Sequence, residues 1–375
     1  MITVRVGNLL ESRAQTLVNT VNCVGVMGKG IALDFKTRFP AMFQDYERRC
    51  EKGDVRLGRP YIFKPLIPPF IVNFPTKDHW RSVARLNDIV HGLEYLLEHY
   101  NAWGVTSIAV PPLGCGNGQL EWRIVGPTLY RYLKRMNIPV ELYAPYGTPH
   151  AELNPTFLNE SAASRIVSER SFKPEWVGVG GVALVEILSR IQRQQYHWPV
   201  GRTIFQKIAY VAAKEHIPTR LTFQRGSFGP FAPDLKKLQT RLVNHGLMRE
   251  ERRGRMFVLE MGSTFSDARK AYADELEKYE GAISRIADLF LRMDTDRAEV
   301  TATVLFSAEI LRRKRGVKST ERELLTEVME WKQKRRPPLD EKDVALNIRN
   351  LAALGWLDLE SSPDLPLTEN DLIMA

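Results

Sequence analysis

Short apolar runs alternate with amphipathic stretches through the first 150 residues. Residues 2–6, 17–21, 60–63, 70–73, 107–110 and 140–143 read as strands, and 31–39, 42–50, 86–100 and 121–136 as helices. Within 86–100 the apolar residues Leu86, Ile89, Val90, Leu93 and Leu97 recur at spacings of three and four, the signature of one buried helix face. Strands alternating with helices predict an α/β fold, a mixed or mostly parallel sheet covered by helices on both faces. In such folds the ligand sits beyond the carboxyl ends of the strands.

The pattern then changes. Thr148-Pro149-His150 and Asn154-Pro155 break it, and residues 161–171 are polar and mixed, which predicts a linker over 151–175. Beyond it the periodicity is chiefly helical, over 182–194, 204–216, 233–245, 265–290, 299–312, 321–334 and 341–354. Residues 255–261 read as a strand beside the basic turn 249–254, a candidate winged hairpin. The expected organisation is an α/β domain over 1–150, the linker, and a mainly helical domain over 176–375.

Composition adds bounds. A chain of 375 residues is too long for one ordinary core, which agrees with two domains. Its 44% hydrophobic and 26% charged content is that of a soluble globular protein, and no run of about eighteen apolar residues is present to span a membrane. The N-terminus reads as a strand rather than a signal peptide. Cys23, Cys50 and Cys115 lack metal-ligand spacing and cannot all pair with one another, so a reducing cytoplasm is the expected compartment. His and carboxylate spacing offers no metal site, and no cofactor is expected.

The net charge of +9 favours contact with a polyanion. Basic clusters lie at Arg312, Arg313, Lys314 and Arg315 and at Lys332, Lys334, Arg335 and Arg336. After Arg349 there is no Lys or Arg, while Asp358, Glu360, Asp364, Glu369 and Asp371 follow. Solvated helix faces and a frayed acidic tail are the expected forms of these segments.

Two stretches carry candidate chemistry. The first runs from Asn19 to Ala32, a buried strand entering a loop with Gly25, Gly28 and Gly30, after which a helix starts. Glycines let backbone amides approach an anion, and a helix N-terminus adds partial positive charge. Asn22, at the strand end, is placed to bond ribose hydroxyls. The second stretch, Pro111-Pro112-Leu113-Gly114-Cys115-Gly116-Asn117-Gly118, again leads from strand to glycine loop to helix. Two such loops facing one another can grip a diphosphate from both sides. Neither has the Gly-Lys-Ser/Thr of a Walker A loop, and neither has the glycine spacing of the dinucleotide fingerprint.

Together these loops resemble the macrodomain family, over roughly residues 1–150. The resemblance implies an α/β/α sandwich around a mixed sheet that binds ADP-ribose. Gly28, Lys29, Gly30 and Ile31 would lie over the distal ribose and pyrophosphate, with Asn22 near that ribose. Leu113, Gly114, Cys115, Gly116, Asn117 and Gly118 would form the second phosphate loop. Within the family the chain is similar to the DarG branch, through Gly7-Asn8-Leu9-Leu10, Asn19 to Ala32, Asn73 to Trp80 and Pro111 to Trp122. These segments make Asn8, Leu9 and Thr76 candidate substrate contacts as well.

The same likeness reaches a macrodomain branch that uses a lysine to cleave terminal ADP-ribose from proteins, and the lysine at that position here is Lys77. A lysine can neutralise charge on a leaving base, or attack the anomeric carbon if its pKa is depressed. The lysine branch pairs it with an aspartate in the second loop, where this chain has Gly118, so acid or electrostatic assistance is favoured over a covalent route. At position 8 macrodomains usually carry an aspartate for the adenine amino group; here it is Asn8. His79 and Trp80 are candidates to contact the modified nucleotide, although core packing is the commoner fate of a Trp. Cys115 reads as a small loop residue rather than a nucleophile.

In the second half, Phe205-Gln206-Lys207-Ile208-Ala209-Tyr210 and the turn from Phe223 to Pro233 resemble the C-terminal region of DarG proteins. That likeness implies binding and silencing of a DarT-like toxin, a DNA ADP-ribosyltransferase, with the acidic stretch after Arg349 as a candidate mimic of DNA. Direct nucleic-acid binding through Arg225, Lys236, Lys237, Arg252, Arg253 and the Arg312 cluster is the alternative. The function implied is an antitoxin that removes ADP-ribose from a DNA base, in single-stranded DNA. A non-cleaving ADP-ribose reader and a protein de-ADP-ribosylase remain open.

Overall fold

Six of the short apolar runs gather into one sheet. The computed structural model describes residues 1–164, 177–254 and 256–368. Strands β1 (Ile2–Val6), β2 (Thr16–Asn22), β3 (Tyr61–Phe63), β4 (Phe70–Lys77), β5 (Ile108–Val110) and β6 (Val140–Ala144) stand in the order β1-β6-β5-β2-β4-β3. All neighbours are parallel except β3, which runs antiparallel on β4. The sheet is therefore mixed, as the pattern predicts.

Helices α1 (Gly30–Arg38), α2 (Pro40–Glu51), α3 (Leu86–His99) and α4 (Trp122–Leu133) cover its two faces. Because successive strand residues point to opposite faces, Leu17 and Val21 of β2 join Phe35, Met42 and Tyr46 of α1 and α2 in one apolar cluster. Val18 of the same strand joins Ile89, Leu93, Val125 and Leu129 of α3 and α4 in the other. This is the α/β/α sandwich.

Two sequence expectations change here. β4 was expected to end at residue 73 but continues through Pro75 to Lys77. Proline fits because β3 pairs only with Ile71, Val72 and Asn73, so at Pro75 the strand has an open side that asks for no donor. The expected linker over 151–175 is structured in its first part. Asn154-Pro155 starts helix α5 (Pro155–Ser164) instead of breaking the chain, since proline is well suited to a first helical turn. Leu158 of α5 is fully buried in the α3/α4 cluster, and Glu152 pairs with Arg123 at 2.6 Å. The remainder of that expected linker, 165–175, lies outside the described residues.

The chain divides into two compact units, Met1–Ser171 with Gln239–His245, and Phe172–Leu238 with Gly246–Ala375. The second is built mainly from helices, among them Gly178–Gln192, Arg202–Lys214, Glu280–Phe290, Thr295–Arg315, Glu321–Lys332 and Glu341–Ala353. The helix expected over 265–290 is three, Phe265–Ala271, Ala273–Glu277 and Glu280–Phe290. Leu276 is the one buried side chain of the middle piece, too little to hold a continuous helix against a core.

The expected strand near 255–261 is present as one arm of an antiparallel hairpin, Met248–Arg253 with Met256–Met261; Arg255 lies outside the described residues. The basic segment before it is itself a strand whose arginines are ion-paired, Arg249 to Glu260 and Arg253 to Glu251 and Glu260. That pairing gives no support to a cationic wing. A smaller hairpin, Gln224–Gly226 with Gly229–Phe231, is clipped from beneath by two buried lysines. Lys207 Nζ donates to Pro230 O at 2.9 Å, and Lys332 Nζ donates to Ser227 O at 3.0 Å while pairing with buried Glu299 at 2.6 Å.

The acidic stretch is not frayed as far as residue 368. Trp356, Leu357 and Leu365 are buried, and Glu360 exchanges backbone hydrogen bonds with Ser319 and Glu321. Asp358 pairs with Lys318 at 2.5 Å. Glu369 and Asp371 lie outside the described residues.

Candidate active site

Both glycine loops leave the carboxyl ends of central strands, the first after β2 and the second after β5. At the same edge β4 ends on Lys77, whose partner in the register is Asn22, the last residue of β2. A bulge between Val21 and Asn22 sets this final pairing. Lys77 is only 7% exposed, and its Nζ donates to the main-chain carbonyl of Asn117 in the second loop at 2.6 Å. The loops also approach each other. A Cβ at Gly30 would lie 3.5 Å from Asn117 Nδ2, and the φ of +57° at Gly30 is one that side-chain-bearing residues rarely adopt. The structure thus brings Lys77, Gly28 to Ile31 and the Asn117 loop together.

Asn22 braces the first loop. Its Oδ1 accepts from Val24 N at 3.0 Å, Val26 N at 3.4 Å and the Tyr46 hydroxyl at 3.1 Å, while its Nδ2 donates to Val26 O. With both ends of the amide engaged, the geometry supports a loop-holding role more directly than the sugar contact expected from sequence. Gly28, Lys29 and Gly30 are exposed. Helix α1 begins at Gly30 with no side-chain cap from Lys29, so its first amides suit an anion.

The second loop is packed on one side and open on the other. Leu113 is fully buried, and a Cβ at Gly114 would meet Leu120 at 2.7 Å. A Cβ at Gly118 would lie 2.2 Å from Gly114 O and 2.8 Å from the Ala84 Cβ. Position 118 therefore has no room for a carboxylate. Gly116 faces open space and Asn117 is exposed, so this part of the loop is accessible to a ligand. Burial pushes the Cys115 thiol well above its ordinary value, and that of Cys23 up to about 12, which removes both as nucleophiles near neutral pH.

A cleft of about 830 Å³ is lined by Ile31, Pro111 and Pro112, at the edges of the two loops, and by Asn8, Leu9 and Tyr146; Lys77 and the Asn117 segment are not part of its lining. Asn8 caps the 3₁₀ turn Leu9–Glu11, its Oδ1 accepting from Leu10 N and its Nδ2 donating to Glu11 Oε1, both at 3.1 Å. The Leu9 side chain is buried in the core beneath the cleft, and Thr76 is buried with its Oγ1 donating to Val21 O at 3.4 Å.

Several cleft and loop residues escape a reading of the sequence. Tyr46 sits at core spacing on α2 and looks like packing, yet its hydroxyl holds Asn22. Asp34 and Arg38, one and two turns into α1, line the cleft, and so does the exposed Tyr146. An aromatic just past the carboxyl end of β6 is the one signal that would have flagged Tyr146. Among the described residues no three His, Cys, Asp or Glu side chains come together as metal ligands, and no helix is long and apolar enough to cross a membrane.

Residues 18–129 match the Macro domain family. Over 303 residues the chain is 34% identical to a DNA ADP-ribosyl glycohydrolase of Thermus aquaticus, an overlap of 80% of each protein. The chain belongs to the DNA ADP-ribosyl glycohydrolase (DarG) family. The overlap is longer than the first unit, so the DarG likeness continues into the second. The chain is also 39% identical over 175 residues to a DNA ADP-ribosyl transferase–DNA ADP-ribosyl glycohydrolase fusion protein of Thermosipho africanus, covering 41% of this chain and 45% of that one. Among solved structures it is similar to the macrodomain of Thermus aquaticus DarG, with 45% identity, 39% of this chain and 99% of that chain covered, and a TM-score of 0.37.

Proposed function

We propose that the first unit hydrolyses the N-glycosidic link between ADP-ribose and a DNA base, and that Lys77 assists the step. The observation that carries this reading is a buried ammonium fixed at the mouth of two glycine loops, with its Nζ directed at Asn117 O. In the reaction the carbon–nitrogen bond breaks with its electron pair on the base nitrogen. A water oxygen bonds to the anomeric carbon, and the base nitrogen gains a proton. The loops hold the diphosphate through main-chain amides and the helix N-terminus. An ammonium beside the bond then stabilises charge on the departing base or supplies its proton, contributions worth about 10²- to 10⁴-fold in rate. An attack by Lys77 itself would need the neutral amine and would lack the loop carboxylate with which the lysine branch pairs its lysine.

The second unit, in this reading, binds a DarT-like toxin and so neutralises the enzyme that writes the modification. The fusion of both activities in one Thermosipho africanus chain supports a shared modification. The clipped hairpin, with Phe228 67% exposed at its tip, supplies a rigid apolar feature suited to a protein contact.

One observation favours a second reading. Because Gly118 excludes a carboxylate, the site lacks the loop acid of the lysine branch and could serve to read ADP-ribose without cutting it. The test compares release of free ADP-ribose from an ADP-ribosylated single-stranded oligonucleotide and from an ester-linked ADP-ribosylated peptide. Release from the oligonucleotide supports the proposal. Release from the peptide alone indicates a protein substrate, and binding without release indicates a reader.

A further inference from the structure

The four residues after Lys77, Asp78 to Arg81, present a row of rings and charge that the hydrolytic step does not use. Asp78 O accepts from Cys23 N at 3.1 Å, which ties the start of this segment to the first loop. Ser82 N donates to His79 O at 3.0 Å, closing a tight turn. His79 Nδ1 accepts from Arg81 N at 3.1 Å and Asp78 Oδ1 accepts from His79 N at 2.8 Å, so the imidazole is held by the main chain. On it lies Trp80, ring centroids 5.5 Å apart and planes 27° from parallel, and the Arg81 guanidinium sits 4.5 Å from a Trp80 ring centroid. Trp80 is 46% exposed, although a ring of this size normally buries its surface when it has a merely structural role.

We infer that His79, Trp80 and Arg81 form a stacking strip for the nucleotides that flank the modified base, making Trp80 a specificity residue for single-stranded DNA. The inference rests on the hydrolase reading above. Position argues for it, because the strip follows Lys77 directly in the chain and is tied through Asp78 to the first loop, which places it beside the nucleotide that reaches Lys77. Chemistry argues for it too. An exposed aromatic with a guanidinium at its face is the pairing that holds unpaired bases and their phosphates, and a base inside a duplex offers no free face to stack. The one exposed carboxylate of the turn, Asp78, is turned onto the His79 amide rather than outward as a repulsive charge.

The test uses the full chain with Trp80→Ala, Trp80→Phe and Arg81→Ala and two substrates, an ADP-ribosylated single-stranded oligonucleotide and the corresponding ADP-ribosylated nucleoside with no flanking nucleotides. Trp80→Ala should raise KM for the oligonucleotide about tenfold or more, leave the nucleoside's kcat/KM unchanged, and be partly rescued by Trp80→Phe. Arg81→Ala should weaken the salt dependence of oligonucleotide binding. An equal loss on both substrates would mean that Trp80 only shapes the site, and no change on either would mean that the strip is not a contact. A loss confined to an ADP-ribosylated peptide would assign the strip to protein. Affinity for an unmodified fluorescent oligonucleotide is measured in parallel. If no substrate is cleaved, a drop in that affinity on Trp80→Ala retains the strip while the hydrolase reading fails, and an unchanged affinity overturns the strip as well.

Discussion

Lys77 and Asn117 meet side chain to main chain, the lysine Nζ donating to the Asn117 carbonyl at 2.6 Å. This bond joins the end of β4 to the loop after β5, forty residues further along the chain. It fixes a cation at the place where the two glycine loops converge. A lysine so held is a positioned donor. Where the lysine branch carries an aspartate in the second loop this chain has Gly118, and the space around position 118 leaves no room for that side chain.

A Cβ at Gly118 would overlap Gly114 O and press on Ala84. Restoring the acid with Gly118→Asp should therefore displace the loop rather than add a catalytic group. We expect a loss of stability of about 1–3 kcal/mol, as for other overpacked sites, together with weaker ADP-ribose binding. Thermal melts and calorimetry measure both; a variant that binds normally and hydrolyses faster would show that the loop accommodates the side chain.

Tyr46 is fully buried and its hydroxyl donates to Asn22 at both the carbonyl, 2.9 Å, and Oδ1, 3.1 Å. Tyr46→Phe should cost about 1 kcal/mol and loosen the first loop. The predicted kinetic signature is a raised KM with kcat nearly unchanged, since the loop holds the phosphates and Lys77 is untouched. A fall in kcat alone would place Tyr46 closer to the chemistry than the geometry does.

The cysteines give a simple control. Burial raises the thiols of Cys23, Cys50 and Cys115, so little thiolate exists near pH 7.5. Iodoacetamide treatment of the native chain at that pH should leave ADP-ribose release intact. Rapid inactivation protected by ADP-ribose would contradict this.

Lys207 makes the second unit pH-sensitive. Burial, then the nearby Lys332, lowers its pKa from 10.5 to about 8. Below about pH 8 the lysine is charged in folded and unfolded chains alike, and the folded state bears the full cost of the buried charge. Between about 8 and 10.5 the unfolded chain holds the proton that the folded chain has lost, so stability rises with pH. Lys207→Met removes the titration. The wild type should gain on the variant by about 3 kcal/mol between pH 7 and 10.5 in denaturant unfolding of the second unit; a flat difference would show that the Lys207 charge is accommodated without cost.

Much of the first unit is legible in the sequence because its strands and helices obey simple periods, and the two loops announce themselves by glycine spacing after apolar strands. The continuation of β4 to Lys77 is not, since Pro75 reads as a stop unless one knows that β3 leaves that side open. Nor is the role of Asn22, whose polar end could face a sugar or its own loop until Tyr46 is seen to reach it. Residues 155–164 are not legible as a helix, because Asn-Pro marks a helix start as readily as a break, and Leu158 decides between them by packing. In the second unit, helices are legible but the pinning of the hairpin is not. Lys207 and Lys332 are cations on apolar helix faces, and only the fold reveals that they serve backbone carbonyls.

The most direct test of the account is ADP-ribose release from an ADP-ribosylated single-stranded DNA oligonucleotide by the wild type and by Lys77→Ala, with ADP-ribose affinity measured on both. The account predicts release by the wild type, a loss of about 10²- to 10⁴-fold in kcat for the variant, and nearly equal affinities. Undiminished release by Lys77→Ala, or loss of binding together with activity, would contradict the place given to Lys77.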